Sequence, residues 1–198
     1  MIKQELLEKL YAKEGKSMQE IANKLGCSVH KVQYWMKQYN IKSRSISDAI
    51  YQWHNPDGDP FMFKKPRTSK EQMLYGLGLG LYWGEGTKAS KHSVRLGNTD
   101  PDLIKIFMDF LIILYGVKRK DFRFGLQIFT DIDEEKALDF WTKKLRIPRE
   151  QFGKVIVTKS GSIGTYRKKS QFGVVTLHYH NKKLRDLLLN QLAAVAQG

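Results

Sequence analysis

The sequence predicts an α+β protein in two parts, a helical N-terminal module over residues 1–47 and a larger α/β unit over residues 68–198 with an antiparallel sheet, joined by a linker at 48–67. Three observations carry this reading. Apolar residues recur at helical spacing from Ile2 to Tyr39, interrupted by Gly15 and Gly26; a run of turn formers, Asn55-Pro56-Asp57-Gly58-Asp59-Pro60, follows; and beyond residue 68 the apolar period switches between helix-like and strand-like values.

Composition narrows the partners. The chain has 198 residues, with 34 Lys and Arg against 20 Asp and Glu, a formal net charge of +14. Such a surplus suits electrostatic attachment to phosphates, with counterion release and strong salt dependence; charge kept for solubility, or a membrane-surface patch, is the plainer alternative. No apolar run reaches the roughly 18 to 20 residues that span a bilayer, and Met1 leads directly into a charged amphipathic helix rather than a signal peptide. The single cysteine, Cys27, excludes an internal disulfide and a cysteine-built zinc site, so a cytoplasmic location is expected.

The first helix runs from Ile2 to Lys13 with Ile2, Leu6, Leu7, Leu10 and Tyr11 inward and Gly15 past its end. Ser17-Met18-Gln19-Glu20 is a capping box that opens a second helix, with Ile21, Ala22 and Leu25 inward and Gly26 closing it. Ser28 caps a third, on which Val32, Trp35, Met36 and Tyr39 form the inward stripe. Ser28, His30, Lys31, Gln33, Tyr34 and Lys37 are left outward, a face of hydrogen-bonding and cationic groups continued by Lys42 and Arg44. Met18 to Tyr39 resembles the helix-turn-helix family, which implies that this face enters a major groove of double-stranded DNA. Any three-helix bundle has a polar outer face, so a protein-binding module is the competing reading.

Residues 46–53 allow one more helical stretch before the turn formers and Lys64-Lys65-Pro66-Arg67. Thr68-Ser69-Lys70-Glu71 is a second capping box, and it opens a helix unusually rich in glycine, Met73 to Gly86. Each glycine inside a helix costs about 1 kcal/mol relative to alanine, so several together require a compensating gain. Gly76, Gly80 and Gly84 recur every four residues and form one bare stripe, which allows another helix very close approach. The chain has no second such segment, so the expected partner is the same helix of a second copy. Glu85 closes this helix where the macrodipole is negative; two such carboxylates side by side are stable only with a divalent cation or a proton between them.

Gly78 to Gly86 resembles the LAGLIDADG motif of homing endonucleases. Val94-Arg95-Leu96-Gly97-Asn98-Thr99-Asp100 and the following Leu103-Ile104-Phe107-Leu111 helix are similar to that family's strand and helix. The resemblance spans about residues 70–197, by motif up to Gly116 and by pattern beyond. It implies a homodimer across Gly76, Gly80 and Gly84, with Mg²⁺ or Mn²⁺ held at Glu85 and Gly84. It also implies metal-assisted phosphodiester hydrolysis, with Asn98, Gln127 and a lysine, Lys88 or Lys159, positioning water or stabilising the phosphate. Three departures stand in the motif: Trp83 replaces an acidic residue, Glu85 stands for the commoner Asp, and three positions carry glycine. A non-catalytic transcriptional regulator on the same fold is the alternative. A dinucleotide-binding loop is disfavoured, because a capping box and helix, not a strand, precede these glycines.

The remaining elements alternate. Val94 to Asn98 reads as a strand, and Asp100 with Pro101 at the first helical position opens a helix to Leu114. Phe122 to Phe129 is a strand with Phe122, Phe124, Leu126 and Ile128 on one side and Arg123, Gln127 and Phe129 on the other. Glu134 to Leu145 is a helix facing inward through Ala137, Leu138, Trp141 and Leu145. Residues 155–157 and 174–179 are strands, and residues 182–195 a closing helix. Between the last two strands lies a segment with Lys159, Arg167, Lys168 and Lys169, and no acidic residue occurs from Lys154 to Gln171. Arg95, Arg123, Gln127, Lys159 and His178 on one sheet face make a DNA saddle of the kind the resemblance implies. His178 and His180 share a side of their strand, but no upstream histidine pair has metal-ligand spacing.

Overall fold

A computed structural model describes residues 1–160 and 171–197. The chain divides into two compact units, Met1–Asp59 and Pro60–Gly198, so the residues expected as a linker are shared between them.

In the first unit α1 starts at Gln4–Leu7 and continues as a π-helical stretch, Glu8–Lys13, before Gly15 takes a left-handed φ of 69°. The Ser17 box opens α2 (Met18–Leu25): Ser17 Oγ accepts from the Glu20 N–H and the Glu20 carboxylate accepts from the Ser17 N–H. Gly26, left-handed, ends it, and Ser28 caps α3 (Val29–Gln38). Ile2, Leu7, Leu10, Tyr11, Ile21, Ala22, Val32 and Met36 make the core, with Trp35 and Tyr39 half-buried against it. Leu6, expected inward, is 37% exposed, because the wider π turn that follows realigns the buried face on Leu7, Leu10 and Tyr11. A fourth helix, α4 (Ile46–His54), is capped by Ser45 and buries none of its residues.

The second unit begins with Phe61 and Phe63, which pack on its core. The Thr68 capping box opens α5 (Ser69–Glu85). There the Glu71 carboxylate accepts from the Arg67 and Thr68 N–H groups and pairs with Lys64, which together hold its pKa down to about 2 from 4.5. A carboxyl group lowered in the folded chain adds stability above its ordinary value, so this cap is complete above about pH 4.5 and is lost as pH falls toward 2. There follow β1 (Val94–Asn98), α6 (Pro101–Tyr115), β2 (Arg123–Phe129), α7 (Glu134–Leu145), β3 (Ile156–Thr158), β4 (Val174–Tyr179) and α8 (Lys182–Gln197). Asp100 caps α6 with Pro101 at its start, and left-handed Gly116 ends it.

The four strands among the described residues form one sheet in the order β1-β4-β2-β3. β4 runs antiparallel to both β1 and β2, but β3 is parallel to β2. The sheet is therefore mixed, not wholly antiparallel as expected. The helix between them gives the reason: α7 carries the chain back to the starting end of β2, and a strand returned by such a crossover pairs in parallel. One sheet face is buried through Val94, Leu96, Phe124, Leu126, Ile128, Val175, Leu177 and Tyr179, in a core shared with α6, α7, α8 and one side of α5.

That side of α5 explains one of its glycines. A Cβ on Gly78 would lie 2.1 Å from the Phe110 ring, so this glycine lets α5 seat on α6. Gly78→Ala is expected to destabilise the protein by about 1 to 3 kcal/mol, because overpacking outweighs the gain of roughly 1 kcal/mol in helix propensity. Thermal or denaturant unfolding measures the sign. A Cβ on Gly76, Gly80 or Gly84 meets nothing within 4 Å.

Candidate nucleic-acid interface

Strand register builds the site. Arg95 of β1 stands opposite His178 of β4, which stands opposite Arg123 of β2, so the three form one transverse row. Gly97, Thr176 and Gly125 form the next row, and Val174, Gln127 and Ile156 a third. All lie on the face away from the core, and none is buried. Gly97 and Gly125 leave the middle of this face low: a Cβ on Gly97 would come 3.0 Å from Thr176 Oγ1, and one on Gly125 3.4 Å from His178 Nε2. The surface is thus a shallow trough with cations at one end. Arg95 Nε donates to Ser93 Oγ at 2.9 Å, and Arg123 Nη1 donates to the Lys120 and Phe122 carbonyls at 2.8 Å. Both guanidiniums are anchored at one edge.

His178 on β4 and His180, one residue past its end, have ring centroids 6.0 Å apart and planes 18° from parallel. Burial, then the charge of Arg95, then His180 push the His178 pKa down; burial, Arg95 and Arg123 do the same to His180. Gln127 Nε2 donates to Thr158 Oγ1 at 3.2 Å, which links β2 to the edge strand. Lys159 is exposed just past β3. Arg167, Lys168 and Lys169 lie outside the described residues.

Asn98 does not join Gln127 on this face. It shares the alternation of Val94 and Leu96, and so belongs to the helix side of the sheet; its Oδ1 accepts from the Asp100 N–H at 2.9 Å. An amide just before a capping aspartate holds the turn into α6, which is why the expected water-positioning role does not fit its place. Glu85 lies one residue before Gly86, which bridges Leu96 of β1, so the end of α5 abuts the sheet edge. Glu85 is exposed and forms no ion pair or hydrogen bond among the described residues. Lys88 Nζ donates to the Trp83 carbonyl, capping α5 with a cation where the macrodipole is negative. Among the described residues no group of three His, Cys, Asp or Glu side chains converges on a metal position.

The outer side of α5 is bare. Gly76, Gly80 and Gly84 are exposed along it, flanked by Met73, Leu77 and Trp83, which are 67%, 47% and 53% exposed. Apolar side chains of this size in one stripe on a helix mark a surface that another chain can cover.

In the first unit, Ser28, His30, Lys31, Gln33, Tyr34 and Lys37 are all exposed along α3, and so is Lys42. Arg44 differs from its expected role. Its guanidinium donates to the Gly15 carbonyl at 2.7 Å, to the Lys16 carbonyl and to Gln52 Oε1, and it lies 4.2 Å from the Tyr11 ring centroid. A guanidinium so engaged ties the end of α1 to α4 and is not available to phosphate. Proximity of Gly15 and Gln52 is a tertiary fact, with no signal in the local sequence. The spacing of His178 and His180 pairs them in the sequence; that Arg95 and Arg123 flank His178 comes from strand register, with no local signal.

No protein-family model matches the chain, and no curated protein or solved structure matches it either. Among the described residues no helix is long and apolar enough to cross a membrane.

Proposed function

We propose that this chain is a DNA-binding protein that works as a homodimer and hydrolyses phosphodiester bonds with the help of Mg²⁺ or Mn²⁺. The observation that carries the reading is the meeting, in one unit, of an open sheet face bearing Arg95, His178 and Arg123 with a helix whose exposed glycine side ends in the unpaired carboxylate of Glu85. The net charge of +14 supports a polyanionic partner. The exposed polar and cationic side of α3 supports a second contact, in the manner of a helix-turn-helix, through Lys31, Gln33, Tyr34 and Lys37.

The donor set fits a hard divalent cation. Glu85 offers an unpaired carboxylate, and the Gly84 carbonyl, in the last turn, has no N–H partner four residues on within the helix. A divalent cation held by Glu85 and the Gly84 carbonyl would supply Lewis-acid polarisation of a phosphodiester. The chain's own groups do the rest. The bare side of α5 brings two copies of Glu85 together, Arg95 and Arg123 hold the phosphate backbone across the sheet, and Gln127 and Lys159 orient the strand beside it.

The test is direct: the full chain is incubated with a randomised plasmid library and Mg²⁺ or Mn²⁺, and the ends produced are sequenced. Double-strand breaks at a recurrent sequence are expected. Tight, salt-sensitive DNA binding without breaks in either metal would overturn the hydrolytic part and leave a regulator that binds DNA.

A further inference from the structure

His178 on β4 and His180, one residue past its end, are titratable groups on that open face. They stand in a particular electrical setting. Arg95 on β1 and Arg123 on β2 flank His178 in register, two strand spacings of about 4.8 Å apart from each other. His180 stacks on His178 and feels both guanidiniums. The charged or titratable groups that act on the pair are these two arginines and the imidazoles themselves; the adjoining row offers only Gly97, Thr176 and Gly125. Among the described residues no carboxylate acts on the pair. Both rings are partly withdrawn from water, and burial together with the flanking guanidiniums disfavours their charged form.

An anion settling between the two guanidiniums reverses that balance. It cancels the repulsion that disfavours imidazolium and offers oxygen acceptors to a new N–H. We propose that Arg95, His178, Arg123 and His180 form a phosphate seat on the open sheet face, and that the histidine pair takes up one proton from solvent as a DNA phosphate settles there. The inference rests on the DNA-binding reading and deepens it. One proton is expected, not two, because a second positive charge on a ring 6.0 Å away is opposed by the first.

A group whose pKa is low in the free protein and raised in the complex binds more protons when DNA is bound, so affinity increases as pH falls from the bound-state value toward the free-state value. DNA attachment through this face is therefore tighter in mild acid, on top of the salt dependence shared by every phosphate contact.

Fluorescence anisotropy of the full chain with a labelled mixed-sequence duplex of ~30 base pairs, at constant ionic strength, tests this. Binding about five- to tenfold tighter near pH 6 than near pH 8 is expected, falling to less than about twofold in the His178→Gln/His180→Gln double variant. The single His180→Gln variant, altered at an exposed position, is expected to lose part of the response, and His92→Gln none of it. Calorimetry in two buffers of different ionisation enthalpy is expected to show uptake of about one proton per bound protomer in mild acid, absent from the double variant. Binding whose pH response survives the double substitution, or moves instead with His30→Gln, overturns the proposal while leaving DNA binding intact. No duplex binding at any pH overturns both.

Discussion

Glu85→Gln is expected to lower plasmid cleavage by at least 10² to 10³, the order seen when one charged or hydrogen-bonding contributor is removed from a preorganised site, while duplex affinity and dimer formation persist. The separation of effects is the informative part. Glu85 is exposed and unpaired among the described residues, so its neutralisation breaks no fold contact. The helix itself is expected to gain slightly, because a carboxylate at a helix C-terminus opposes the macrodipole. A variant that folds at least as well, binds DNA and fails to cut places the carboxylate in the chemistry. Equal cutting by Glu85→Gln and the parent chain would remove it from any catalytic role.

The second large effect concerns association. Gly80→Leu is expected to raise the dimer dissociation constant by at least about a hundredfold, equivalent to roughly 3 kcal/mol, because a side chain at the centre of the bare stripe holds two helices apart. Within one protomer the position is exposed, and a Cβ at Gly80 meets no atom within 4 Å. Protomer stability is therefore expected to hold or rise, by up to about 1 kcal/mol from helix propensity alone. Gly78 behaves oppositely, as Phe110 fills the space beside it. Analytical ultracentrifugation of Gly80→Leu beside thermal unfolding of Gly78→Ala distinguishes a helix used on two sides from one used on a single side. A parent chain that stays monomeric at high concentration, with and without DNA, would sink the paired carboxylates.

Much of the fold was legible because the signals are local. The boxes at Ser17 and Thr68, the Asp100-Pro101 start of α6 and the alternation along β2 each depend on residues a few positions apart. The direction of β3 was not legible. A three-residue strand carries no mark of its orientation, which comes from α7 returning the chain to the far end of β2. The same division runs through the site. The stripe of Gly76, Gly80 and Gly84 is a matter of helical period and could be read directly. The row Arg95–His178–Arg123 depends on the register of three strands drawn from distant parts of the chain, and register is set only when the core side locks. Asn98 is legible by parity: it alternates with Val94 and Leu96, which assigns it to the helix side of the sheet despite its polarity.

The polar knot around Arg44 has a further consequence for α4. This helix buries none of its residues and leaves Ile46, Ile50 and Trp53 in water at 82%, 53% and 78% exposure. Its hold on the rest of its unit includes a contact from one guanidinium to Gln52, and little apolar area is lost when that contact opens. Such a segment unfolds locally at a small fraction of the global free energy. Its amides therefore exchange with solvent early, and its backbone is an easy point of entry for a protease.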